Sequence, residues 1–149
     1  ARLREGWPKL EDARGRVLFV LDESPAKVAL YQSRHGNGAM FVNSPNEFDD
    51  DAAYLTLNDP LREAARIAAA VDNGHLIRTR ADADTREARR NDTRRREAAF
   101  ASGAQIVSTD YIEPERRFSD YVVRLQDGAI ARCNPRRAAA KCAGLAIEE

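Results

Sequence analysis

Five short apolar runs set the strongest limit on what this chain can fold into: RVLFVLDE from Arg16, AMFVN from Ala39, AAYLTLND from Ala52, HLIRTRAD from His75 and AQIVSTD from Ala104. Each is rich in Val, Ile, Leu or Phe, and each is followed by turn or helix-start residues. Runs that are apolar on both faces suit parallel strands covered by helices, rather than the one-sided alternation of a solvated antiparallel sheet. The chain is predicted to be α/β.

The connectors agree. Ser24 and Pro25 stand where an N-cap and a first helical residue belong, and a short helix over 26–33 should stop at the turn around Asn37 and Gly38. Asp59-Pro60 repeats that start signal. LREAARIAAAVDNG then carries Leu61, Ala65, Ala68 and Ala69 along one stripe until Gly74 ends it. Asp84 with Glu87 three positions on has the form of a capping box, which predicts a single helix to about Ala101 with Gly103 as its cap. Six arginines between Arg86 and Arg96 read as the solvated face of that helix, laced by Glu87 with Arg90 or Asp92 with Arg96.

Beyond Asp110, YVVRLQDGAIARCN places two alternating apolar segments about Asp127-Gly128, a hairpin signal over 118–134. The remaining residues, 135–149, read as a tail. At 149 residues the chain suits one partial domain, well short of the roughly 250 residues of a complete eight-stranded α/β barrel. The opening ARLREGWPKLEDARG, residues 1–15, reads as a connector entered midway, so the chain is expected to be a piece of a longer protein.

Acidic and basic residues balance at 24 each, and no aromatics are interleaved among the arginines, so nucleic acid is not expected as a partner. No apolar run approaches the ~18 residues needed to span a bilayer. Cys133 and Cys142 form a poor zinc pattern. A local disulfide fits them better, and it points to an oxidising compartment.

Parallel strands deliver functional residues at their carboxyl ends. Those positions hold Asp22 after the first run, Asn58 after the third, Arg78, Arg80, Asp82 and Asp84 around the fourth, and Asp110 and Tyr111 after the last. Arg78 and Arg80 are two apart and so share one strand face. Guanidinium groups on such a face need partners, either a carboxylate network or a bound phosphate. Asp22 and Asp110 can be read as ligands of a hard cation, as helix caps or as groups that orient the arginines. Neither His35, in a Gly-rich turn, nor His75, at a strand start, is placed as a general base.

GWPKLEDARGRVLFVLDE, AMFVN, AAYLTLNDP, LIRTRADADTREAR, NDTRRREAAFASGAQIVSTDY and YVVRLQDGAIARCNP together closely resemble the C-terminal half of the bacterial calcium-dependent phosphatidylinositol-specific phospholipase C family, over Gly6 to about Pro135. The STDY ending is also similar to that of glycerophosphodiester phosphodiesterases. The resemblance implies the C-terminal half of a TIM-barrel-like phosphodiesterase, the first run being strand five and the last strand eight. It implies a phosphatidylinositol-type lipid or related phosphodiester as substrate, with peripheral membrane contact and a secreted location. It also implies calcium, bound mostly by residues of the first strands, which carry the family's catalytic histidines as well.

On that expectation the remainder of the barrel is the chain's first partner, and this half holds no catalytic residue. Arg78, Arg80, Asp82 and Tyr111 are the candidates for substrate contact, supported by Asp22, Asn58, Asp84 and Asp110. A noncatalytic phosphate- or protein-binding α/β module, with structural arginines, is the rival reading.

Overall fold

In a computed structural model, which describes residues 6–36, 38, 40–44, 46–49, 52–137 and 142, each of the five apolar runs contributes a short strand. β1 (Val20–Leu21) and β2 (Phe41–Val42) pair in parallel, Val20 opposite Phe41. β3 (Tyr54–Thr56), β4 (Leu76–Arg80) and β5 (Ile106–Ser108) form a second parallel sheet in that order. A parallel bridge between Asn43 and Tyr54 connects the two sheets, so spatial order follows chain order throughout. The fold is α/β with parallel strands.

Helices fill the connections. α1 (Leu10–Ala13) is a single turn within the expected connector. α2 (Pro25–His35) starts at the predicted Ser24-Pro25, with proline in the first turn where its missing N–H costs nothing. It runs two residues beyond the expected Ser33 and ends at Gly36, whose φ of 53° needs a residue without Cβ. Asn37, the first residue of the expected turn, lies outside the described residues, as do residues 1–5 and, Cys142 excepted, the tail after 137.

α3 (Ala64–Asp72) follows a first turn that Asp59 organises: its carboxylate accepts from Arg62 N at 3.3 Å, and its carbonyl accepts from Glu63 N at 2.8 Å. The stripe it buries differs from expectation. Ile67, Ala70 and Val71 pack against Leu55, Leu57 and Ile77 of β3 and β4, while Leu61, Ala65 and Ala69 face water. Within the helix, Ile67 and Val71 remove more apolar area than Ala65, Ala68 and Ala69 would, roughly 1.5–3 kcal/mol per large side chain, and so set the helix rotation.

The single helix expected after Asp84 is two: α4 (Arg86–Arg90) and α5 (Arg94–Ala101). Asn91 takes a left-handed conformation at φ 51° and breaks the ladder, and Asp92 then accepts from Arg94 N at 3.1 Å to start the next helix. No capping box forms at Asp84. It and Thr85 are both left-handed, at φ 53° and 64°, and the Asp84 carboxylate pairs with Arg86. Glu87 does reach back, accepting from Ala83 N at 2.9 Å.

The expected hairpin is absent: among the described residues, 118–134 holds no strand. The turn itself exists, with Asp127 and Gly128 at φ 59° and 75° around a 3-10 turn, Gln126–Gly128. Its two arms are claimed by different neighbours. Val123 N donates to Tyr111 O at 2.8 Å and Arg96 donates to Val122 O at 2.7 Å, whereas Arg132 reaches Phe100 O and Asn134 reaches Gly103 O. The first arm thus spends the Val122 carbonyl and the Val123 N–H on other neighbours, and the second arm is held elsewhere through the Arg132 and Asn134 side chains, so the two arms do not pair.

A second cluster, Ala81, Ala88, Tyr111, Tyr121 and Val123, joins the ends of β4 and β5 to this segment. Cys133 and Cys142 form a disulfide. Among the described residues no helix is long and apolar enough to cross a membrane.

Candidate anion-binding site at the strand ends

β4 alternates cleanly. Ile77 and Thr79 are buried on the face covered by helices, whereas Leu76, Arg78 and Arg80 lie half-buried on the other. Parallel register puts Thr56, Arg78 and Ile106 at one level of that second face, and Arg80 with Ser108 at the next level towards the strand ends. Trp7 closes the lower end, its ring 5.4 Å from Phe41 and its indole N–H donating to Gly74 O at 2.8 Å.

A polar chain crosses this surface. Asp22, after β1, accepts from the Thr56 hydroxyl at 3.1 Å and stands 3.5 Å from the Arg78 guanidinium. Arg78 also donates to the side-chain oxygen of Asn58 at 3.0 Å. Asn43, after β2, accepts from Thr56 N at 2.8 Å. Four strand ends are thereby linked through short polar side chains, and the Arg78 guanidinium is held in place by two of them.

Arg80 differs. It lies half-buried beside Arg78 but has no hydrogen bond or ion pair within the described residues. A guanidinium with all its donors available, next to one fixed by neighbours, is suited to an oxyanion with several acceptor oxygens.

Asp82 is 1% exposed, and both its oxygens are engaged, one by the Thr109 hydroxyl at 2.5 Å and one by Asp110 N at 3.0 Å. It therefore splices β4 to β5 rather than reaching a ligand. Tyr111, expected at the substrate, is 7% exposed and packs edge-on against Tyr121, centroids 5.6 Å apart. Burial, with the Asp82 and Asp110 carboxylates nearby, pushes its phenol up. The ring is core, with no open face for a sugar. Asp110 and Asp84 are exposed at the rim.

Arg95 and Glu87, read in sequence as part of a solvated face, point inward. Arg95 pairs with Glu87 at 3.0 Å, donates to Asn58 O at 3.0 Å and lies 3.7 Å from Asp59. The pair pins the β3 loop that carries Asn58. The sequence marked Glu87 only as a capping-box or surface-pair residue and Arg95 only as part of the solvated run, because the direction of Arg95 depends on the helix break at Asn91. Asn43 and Thr56 were findable, since Asn43 also ends an apolar run and Thr56 is two residues before Asn58.

The two histidines lie elsewhere. His75 is buried at the start of β4, its ring nitrogens 3.1 Å from Ala70 O and 3.1 Å from Glu47 O. His35 ends α2, against Tyr31. For a calcium ion the donor set is thin: no group of three His, Cys, Asp or Glu side chains gathers among the described residues, and Asp22 is already committed to Arg78 and Thr56.

Parallel strands alternating with helices, with Arg78 and Arg80 on one face of β4, define an α/β protein with its candidate site at the strand ends. A family model described as calcium-dependent phosphoinositide phospholipase C matches residues 1–135, and the chain belongs to that family of hydrolases. No curated protein and no solved structure matches it.

Proposed function

We propose that these five strands are the closing half of a TIM-barrel-type phosphodiesterase, and that the face bearing Arg78 and Arg80 is its substrate wall. The substrate is a phosphatidylinositol-type lipid or related phosphodiester. The observation that carries this reading is the half-buried Arg80, with no hydrogen bond or ion pair among the described residues, beside an Arg78 held by Asp22 and Asn58. Arg80 takes the phosphate oxygens. Arg78 supplies fixed positive charge, and Asp82 with Asp110 keeps the two strand ends in register. Tyr111 supports the wall from behind.

Acid-base chemistry belongs outside this chain, since His75 has both ring nitrogens against backbone carbonyls on the far side of the sheet and His35 ends a surface helix. Among the described residues no three His, Cys, Asp or Glu side chains gather, and on this reading the calcium ligands belong to the completing half of the barrel. The disulfide suits an oxidising, extracellular setting. A rim reaching a lipid headgroup implies peripheral membrane contact.

Isothermal titration of the 149-residue chain with myo-inositol 1-phosphate tests the wall, alongside an assay of phosphatidylinositol cleavage with calcium. Binding without turnover, weakened about tenfold in Arg80→Ala at unchanged melting temperature, is the expected result. Robust turnover would place the chemistry in this chain after all. Absent binding, with Arg80→Ala merely less stable, would leave the noncatalytic module with structural arginines.

A further inference from the structure

Two loops flank the end of β4, the Asn58 loop that follows β3 and the Ala83 loop that follows β4 itself, and one ion pair reaches both. Arg95, in the first turn of α5, donates through Nη1 to the Asn58 carbonyl at 3.0 Å and lies 3.7 Å from the Asp59 carboxylate. Its Nε donates to one oxygen of Glu87, on α4, at 3.0 Å, and the other Glu87 oxygen accepts from Ala83 N at 2.9 Å. The path from Asn58 O through Arg95 and Glu87 to Ala83 N is unbroken. Both side chains are mostly buried, 16% and 12% exposed.

Stability alone does not explain charges in this place. Burying an ion pair costs much of what its attraction returns, and a well-packed apolar pair of similar volume is often as stable or more so. What an apolar pair cannot do is hold two backbone groups on separate loops. A guanidinium fork and a carboxylate have the donors and acceptors for that.

The loops so held carry the two arginines' surroundings. Asn58 gives its backbone carbonyl to Arg95 and its side-chain oxygen to Arg78, both at 3.0 Å, so Arg95 acts on the Arg78 guanidinium through a single residue. Ala83 follows Asp82, whose carboxylate joins β4 to β5 just beyond Arg80.

We infer that Glu87 and Arg95 are positioning residues of the phosphate wall: by tying the Asn58 and Ala83 loops together they fix where Arg78 stands beside Arg80, a role that rests on those arginines being the phosphate-binding face. They set affinity for an inositol phosphate through Asn58 and not by contact. Every link of this path lies within residues 58–95, so it is complete in this chain.

Titration calorimetry with myo-inositol 1-phosphate tests this on four forms of the chain: wild type, Asn58→Ala, the combined Glu87→Leu and Arg95→Met variant, and all three changes together. Measured well below its melting temperature, the combined variant is expected to bind about fivefold more weakly, as is Asn58→Ala. The triple variant should lose less than about twofold more, because both changes act on the same guanidinium. A folded combined variant that binds as wild type does, or losses that multiply in the triple variant, would overturn the inference. Asn58 has an exposed side chain and its truncation leaves the ion pair intact, so wild-type binding by Asn58→Ala would overturn it even if the combined variant did not fold.

Nitrogen-15 NMR of the Arg78 Nε–H, with no ligand added, reads the same relay. Its resonance in the combined variant should move towards its position in Asn58→Ala. An unmoved resonance would overturn the inference. Failure of the wild type to bind inositol phosphate would instead sink the phosphate wall, and the resonance would still decide whether Arg95 sets Arg78.

Discussion

Arg78 donates to the side-chain oxygen of Asn58 at 3.0 Å, joining the end of β4 to the loop after β3, whereas Arg80 two residues on has no such tie among the described residues. The two arginines should therefore respond differently to truncation. Arg80→Ala is expected to change unfolding free energy by less than about 0.5 kcal/mol but to weaken myo-inositol 1-phosphate binding about tenfold, the loss of one charge-assisted bond set. Arg78→Ala should cost about 1–2 kcal/mol, because Asp22 and Asn58 lose a partner. Urea denaturation and titration calorimetry on the same variants separate the effects.

Removing Asp82 orphans two donors at once, the Thr109 hydroxyl and Asp110 N, in a site closed to water. Asp82→Ala should destabilise by about 2–4 kcal/mol in urea melts. Asp82→Asn keeps one acceptor and should lose less.

Glu47 links the loop before β3 to α3 through a two-pronged contact, Arg66 reaching its carboxylate at 2.9 and 2.6 Å. That contact holds the Glu47 carboxyl well down, from 4.5 to about 2. A depressed carboxylate contributes stability that is fully present above its unfolded value and disappears as pH falls through the folded one. Stability should thus drop between pH 4.5 and about 2, by about 1 kcal/mol for a pair open to solvent screening. Glu47→Gln should flatten that part of the pH profile, measured by thermal melts at each pH.

The Glu87–Arg95 pair is mostly buried and hydrogen-bonded at both ends. Breaking it from one side leaves the other charge stranded, so Arg95→Met should cost about 3 kcal/mol. A combined Glu87→Leu and Arg95→Met variant should recover part of that loss, since no unpaired charge remains. A double-mutant cycle in urea measures the coupling.

Local chemistry wrote much of this protein into its sequence. The five apolar runs, Pro25 at a helix start, Gly36 at its end, the Asp59 turn and the shared face of Arg78 and Arg80 all follow from propensity and two-residue alternation. Those signals act within a few residues, and so they are readable one segment at a time.

Choices between neighbours were settled only in three dimensions. The 118–134 segment carries a good hairpin pattern, yet Tyr111 and Arg96 take backbone groups of its first arm, and the Arg132 and Asn134 side chains tie its second arm to Phe100 and Gly103. Tyr111 became core because Tyr121, ten residues on, covers it. Arg95 turned inward because Asn91 broke a helix and rotated what followed. Sequence determined which side chains reach the ends of the strands; packing decided which of them are tied to neighbours, as Arg78 is, and which, like Arg80, carry no such tie among the described residues.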